Sequence, residues 1–196
     1  EIRGQYGKNS LFFKVAATFL EREIGNTVRH LLGFGFPNQK AMTIAIRLGL
    51  YEKTDDFVEV LYPRSDGPTQ NSAYSLAALD LTDCAQRLQL DSLWQAMRAD
   101  CEDNIIGVRD WAYIHYRYFE HPSARDKQYR CVSILDSISH LPLAIAILKD
   151  RDGYTLIMDL ICPLDAVSPA ISALNQALGE SAQTQDLKMW ITRGCL

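Results

Sequence analysis

The order in which helices and strands follow one another constrains the fold of this chain most. Apolar spacings of three and four residues predict helices, and short apolar or alternating runs bounded by turn residues predict strands. The first part reads helix 8–24, strand 28–36, helix 38–48 and strand 57–62. The second part reads strand 74–81, helices 83–101 and 106–119, strands 129–135, 143–148 and 154–161, a helix from Ser168, and strand 187–192. This order predicts an α/β protein.

The helix predicted at 8–24 has the clearest pattern. Its apolar residues share one face, and charged residues occupy the other. The apolar residues are Leu11, Phe12, Val15, Ala16, Phe19, Leu20 and Ile24. Gly25 follows as a natural stop, and Asn38 stands where the cap of the next helix is expected.

The segment 63–71 contains Pro, Ser, Asp and Gly in the proportions of a linker. We predict a domain boundary there, with one domain at 1–66 and a second at 74–196. A Gly-containing loop comes within seven residues of Glu1, before any strand. We therefore expect the sequence to begin inside a longer protein.

Charge and cysteine usage exclude several classes of protein. Twenty Lys and Arg against 24 Asp and Glu give a net charge of -4 without a long basic run, which argues against a nucleic-acid partner. The five cysteines are scattered, without the close pairs that hold a metal, and indicate the reduced thiols of a cytoplasmic protein. No apolar run approaches the roughly 20 residues of a membrane span. We predict no metal site and no membrane partner.

A possible phosphate-binding loop precedes the first helix. The segment Arg3-Gly4-Gln5-Tyr6-Gly7-Lys8-Asn9-Ser10 leads directly into it. Main-chain N–H groups at a helix N-terminus favour an anion. The segment resembles the pyrophosphate loop of the GNAT (GCN5-related N-acetyltransferase) superfamily, which reads Arg or Gln, two residues, Gly, one residue, Gly or Ala. Gly7 lies one residue late and Asn9 replaces the last Gly or Ala, so a plain helix-capping turn is the alternative.

A second stretch extends the resemblance. Family members place Asn after a strand, then Ala, commonly Tyr, and Gly-Phe at fixed offsets. This sequence has Asn38, Ala41, Ala45, Gly49 and Leu50 there. Ala45 replaces the Tyr that acts as general acid towards the CoA thiolate. Tyr51, six residues further on, would not point the same way on a helix.

The resemblance implies a mixed, mostly antiparallel GNAT-type sheet with helices on both faces, in two GNAT-like halves. It implies an acetyl-CoA-dependent N-acetyltransferase acting on a small-molecule or peptide amine, and allows a homodimer. The implied cofactor-binding residues are Arg3, Gly4, Tyr6, Gly7, Lys8, Asn9, Ser10 and Asn38. The general base and acid stay unassigned. A non-catalytic ligand- or protein-binding module with this fold is the alternative, and a purely structural domain is the third.

The second part resembles the family in layout only. The loop expected to hold phosphate there, residues 162–167, lacks Gly, contains Asp165, and includes Pro163, which has no N–H to donate. We predict that phosphate does not bind this loop and that this half is a degenerate copy. An aromatic cluster at 111–119, interleaved with Arg109 and His115, has the composition of a site that stacks on rings or holds carboxylates, but its helical spacing favours core.

Overall fold

The computed structural model describes residues 7–25, 29–63, 73–124, 128–179 and 186–193. They belong to two compact units, Glu1–Asp56 and Phe57–Leu196. The first unit contains helices α1 (Leu11–Glu23) and α2 (Gln39–Arg47). The second contains β1 (Phe57–Tyr62), β2 (Tyr74–Ala78), α3 (Cys84–Asp100), α4 (Trp111–His115), β3 (Tyr129–Asp136), β4 (Pro142–Arg151), β5 (Tyr154–Ile161), α5 (Val167–Gly179) and β6 (Asp186–Thr192). No helix in these described ranges is long and apolar enough to cross a membrane.

Both helices of the first unit begin at a side-chain cap. The Ser10 Oγ accepts a hydrogen bond from the Phe13 N–H at 3.1 Å, and the Asn38 Oδ1 accepts one from the Ala41 N–H at 3.0 Å. Each cap satisfies a main-chain donor that the first turn of a helix leaves without a partner. The predicted cap at Asn38 is confirmed.

The apolar face of α1 is exposed. No residue of the helix is buried, and the exposed fractions of Leu11, Val15 and Phe19 are 77%, 61% and 55%. The amphipathic pattern predicts the helix correctly. Burial of its apolar face is not found in this structure.

The strand predicted at 28–36 is not formed in its described part. Residues 29–38 contain only one isolated bridge, between His30 and Ile24. A strand needs a neighbour to accept and donate its main-chain hydrogen bonds. The described residues of the first unit provide no such ladder, so the apolar run stays irregular.

The first strand of the sheet belongs to the second unit. We predicted domains at 1–66 and 74–196, which places β1 in the first. In the structure all six residues of β1 pair with β6, from Phe57 opposite Thr192 to Tyr62 opposite Leu187, and the compact units divide after Asp56. This long-range pairing extends the sheet across the expected linker. The assignment of the two parts as GNAT-like halves stays a prediction.

The second unit is built on a six-stranded sheet in the order β1-β6-β5-β4-β3-β2. Every neighbouring pair is antiparallel except β5 and β6, which are parallel. The prediction of a mixed, mostly antiparallel sheet is confirmed.

Helices cover both faces of this sheet. Successive buried residues of β4 alternate between two clusters: Ala144, Ala146 and Leu148 pack with residues of α5, whereas Ile145 and Ile147 pack with residues of α3 and α4. Side chains alternate across a strand, so the two clusters lie on opposite faces. The predicted arrangement of helices on both faces is confirmed.

Candidate cofactor-binding site

The predicted cofactor loop is only partly described. The predicted residues outside the described ranges are Arg3, Gly4 and Tyr6. Those inside are Gly7, Lys8, Asn9, Ser10 and Asn38. Residues 7–10 form a turn closed by the Ser10 N–H, which donates to the Gly7 carbonyl at 2.9 Å. The turn leads directly into α1.

The turn is open to ligand. A Cβ atom built at Gly7 would meet no heavy atom within 4 Å, and Lys8 and Asn9 are exposed. The main-chain N–H groups of Lys8, Asn9 and Leu11 have no acceptor among the residues that the structure describes. Among the described residues, packed side chains therefore do not occlude the turn.

This geometry suits an anion. Main-chain donors at the start of α1 lie where the helix dipole is positive, and the cationic Lys8 adds charge beside them. A diphosphate presents several oxygens that charge-assisted hydrogen bonds of this kind can hold. The alternative, a plain capping turn, accounts for the Ser10 cap and leaves these exposed N–H groups to solvent.

Asn38 is placed by the start of α2. Its Oδ1 is used in the cap to Ala41, and the residue is exposed. The amide Nδ2 keeps its two donors, which could reach a carbonyl of an extended ligand. Its predicted contact with the arm of CoA stays a prediction.

The residue at the expected general-acid position cannot donate a proton. Ala45 is buried, and its methyl group carries no ionisable atom. Tyr51 follows the end of α2 and is 48% exposed. The described part of the first unit thus supplies a possible anion site without the family's usual acid.

The second unit contains a gap between two parallel strands. The pairing of β5 with β6 ends at Ile157 and Met189. Beyond this point β5 continues beside β4 to Ile161, whereas β6 continues beside β1 to Thr192. A register shift leaves Met158 of β5 without a partner on β4, so a bulge lies where the strands diverge.

A buried polar network adjoins this bulge. Asp159, whose side chain is 9% exposed, accepts hydrogen bonds from the Arg109 Nε at 2.6 Å and the Tyr118 hydroxyl at 2.8 Å. Burial, followed by the neighbouring Asp159 charge, raises the pKa of Tyr118 well above its usual range, so the phenol stays a donor. The three residues join the helical segment to β5.

Sequence reasoning grouped Arg109 and Tyr118 with the aromatic cluster but missed Asp159. A carboxylate within the otherwise apolar end of β5 is the signal that could have found it, because buried charges are almost always paired. The interpretation of the cluster as core holds for Tyr118, which is buried. Tyr116 and Phe119 are 53% and 42% exposed. They lie on a π-helical turn, Tyr116–Glu120, that follows α4.

No protein-family profile and no curated protein matches the sequence. Solved structures match it in fold. A conserved protein of unknown function from Enterococcus faecalis V583, described as a probable N-acyltransferase, is 14% identical with a TM-score of 0.53, over 80% of this chain and 36% of that chain. A GCN5-related N-acetyltransferase from Sphaerobacter thermophilus is 9% identical with a TM-score of 0.40. The match covers 76% of this chain and 47% of that chain. A functionally unknown conserved protein from Staphylococcus epidermidis ATCC 12228 is 10% identical with a TM-score of 0.34. The match covers 81% of this chain and 59% of that chain.

This chain spans less than two thirds of the length of each of these proteins. At 14% identity the Enterococcus faecalis match shows a common fold and nothing finer. It agrees with the six-stranded sheet, its single parallel pair and the helices on both faces. The chain therefore has the GNAT-type α/β fold that its sequence predicts.

Proposed function

We propose that this chain is an acyl-CoA-dependent N-acyltransferase that transfers an acetyl group to an amine. The residues proposed to hold the CoA diphosphate are Arg3, Gly4, Tyr6, Gly7, Lys8, Asn9 and Ser10. Asn38 is proposed to donate to the arm of the cofactor. The acceptor is a small-molecule or peptide amine.

The observation that carries this proposal is the open turn before α1. It presents N–H groups without an acceptor among the described residues, a cation at Lys8, and free space at Gly7. The GNAT-type fold supports the proposal in general terms. The probable acyltransferase activity of the Enterococcus faecalis protein is consistent with it.

The chemistry that these residues can supply is positioning. An amine held beside a thioester attacks its carbonyl carbon, the C–S bond breaks, and CoA leaves as the thiol with the proton that the amine loses. Fixing the cofactor at its diphosphate lowers the entropic cost of that approach. Main-chain donors that stabilise the developing oxyanion would add to the rate. We assign no general acid, because Ala45, at the expected position, carries no ionisable group. The general base is also unassigned.

A non-catalytic module with the same fold is the second candidate. The observation that favours it is the buried Ala45 at the position of the usual general acid. On this reading the turn binds an acyl-CoA without turnover.

Isothermal calorimetry with acetyl-CoA tests the proposal. We expect binding with a Kd on the order of micromolar, and an affinity about 100-fold lower in Gly7→Asp, because the new carboxylate faces the diphosphate. The Cβ at Gly7 meets nothing within 4 Å, so the substitution leaves the fold intact. Thr18→Asp adds the same charge at an exposed position on α1 and should bind as the parent does.

Thiol release with a panel of amines separates the two candidates. Turnover that Gly7→Asp abolishes supports the acyltransferase. Binding without turnover on any amine supports the non-catalytic module. Absence of binding contradicts both.

A further inference from the structure

In the loop after β5, a carboxylate of the protein itself accepts a hydrogen bond from a main-chain N–H group. Residues Leu164–Ala166 form a short 3-10 turn that leads into α5. The Leu164 N–H donates to the Asp100 Oδ2 at 2.8 Å. This contact joins two residues 64 positions apart in the sequence. The first N–H group of this helical run, that of Leu164, is therefore occupied.

The position of Asp100 is unfavourable for its own helix. Asp100 is the last residue of α3, where the negative end of the helix dipole disfavours a carboxylate. The start of the helical run leading into α5, where the dipole is positive, favours a carboxylate. The contact with Leu164 places the Asp100 carboxylate between the end of α3 and the start of the run leading into α5. The favourable interaction with the second helix offsets the unfavourable one with the first.

Most main-chain nitrogens of residues 163–167 are not available to an anion, although the Asp165 N–H has no acceptor among the described residues. Pro163 and Pro169 have no N–H, the Ala166 N–H donates to the Pro163 carbonyl at 3.1 Å, and the Val167 N–H donates to the Leu164 carbonyl. The turn before α1 differs, since its N–H groups have no acceptor among the described residues. The second loop thus keeps fewer main-chain donors for an added anion than the turn before α1.

The charge around the second loop is negative. Burial raises the pKa of the Cys162 thiol to about 12, and the Asp165 and Asp100 charges add to the increase. Both carboxylates therefore act on the loop that a diphosphate would have to approach. Such an approach is repulsive.

We propose that the Asp100 carboxylate occupies the anion position at the start of the α5 run, so that the second unit takes no CoA diphosphate. With the proposed function of the first unit, on which this part rests, the chain takes up one acyl-CoA, at the turn before α1. The strand gap of the second unit then has no anchor for a diphosphate at its loop.

Amide resonances in a ¹⁵N NMR titration with acetyl-CoA test this directly. We expect the N–H resonances of residues 164–168 to stay unchanged at saturating ligand, while those of residues 7–11 shift. Unchanged resonances in both loops would uphold the closed second loop and contradict the proposed function. Shifts of the resonances of residues 164–168 at saturating ligand would overturn the inference.

The role of Asp100 is tested by substitution. Asp100→Ala should displace the Leu164 N–H resonance because its acceptor is removed, and Asp100→Asn, which keeps an oxygen acceptor, should displace it less. Asp103→Ala removes an exposed carboxylate just beyond α3 and should leave the resonance in place. A Leu164 resonance that is the same in the Asp100 variants and the parent would refute the contact. If Asp100→Ala does not fold, the Leu164 N–H resonance is compared between Asp100→Asn and the parent.

Discussion

Leu174→Ala is expected to lower the free energy of unfolding by about 2–5 kcal/mol, because it opens a cavity in a closed core. Leu174 of α5 is fully buried among residues of the sheet. Two alanines of β4, Ala144 and Ala146, lie in the same cluster and cannot expand to fill the space. Denaturant unfolding followed by circular dichroism measures the loss.

Leu11→Ala is the matched control. It removes the same atoms from α1, which is also amphipathic, but Leu11 is 77% exposed. We expect a change within about 0.5 kcal/mol. A loss at Leu11 as large as that at Leu174 would show that the apolar face of α1 is buried in solution and would contradict the described structure.

Asp159→Ala is expected to lower the free energy of unfolding by about 3 kcal/mol. It leaves Arg109 without its carboxylate, and it leaves the Met158 carbonyl, at 3.4 Å, as the acceptor for the Tyr118 hydroxyl. A partly buried charge and a buried hydroxyl that lose their partner keep the cost of desolvation. The same unfolding measurement gives the loss.

Two comparisons distinguish this cost from a simple loss of packing. The double variant Asp159→Ala, Arg109→Met should recover much of the stability, because it removes the charge left without a partner. Glu59→Ala breaks the exposed ion pair with Lys188, 3.0 Å long, and should cost at most about 1 kcal/mol. Equal losses for the Asp159 and Glu59 variants would refute the buried network.

Local signals in the sequence predict most helices and strands well. The cap at Asn38 and the alternation within β1 depend on residues close together in the chain, and both are found in the structure. The helix predicted at 106–119 instead begins at Trp111, after a cap by Asp110, whose side chain accepts from the Tyr113 N–H. Here a capping residue determines the start and the apolar spacing alone does not.

Features that depend on distant partners could not be predicted. The apolar stripes of α1 and α5 look alike in sequence, yet only the second packs on a sheet. The pairing of β1 with β6 and the contact of Asp100 with Leu164 join residues far apart in the chain. Spacing within one segment carries no information about such partners, so the domain boundary and the closed loop needed the structure.

The candidate site was predicted in the same uneven way. A Gly-containing loop before an amphipathic helix indicates an anion site from sequence alone, and the structure gives an open turn at Gly7. The sequence could not show which N–H groups lack an acceptor, because that depends on the folded turn. It also could not show the gap between β5 and β6, which follows from the different neighbours of the two strands.

A crystal structure of the chain with CoA tests the central claim most directly. We expect diphosphate oxygens within about 3 Å of main-chain nitrogens in the turn before α1. A diphosphate bound at residues 162–167 instead, or at a surface remote from Gly7, would contradict it.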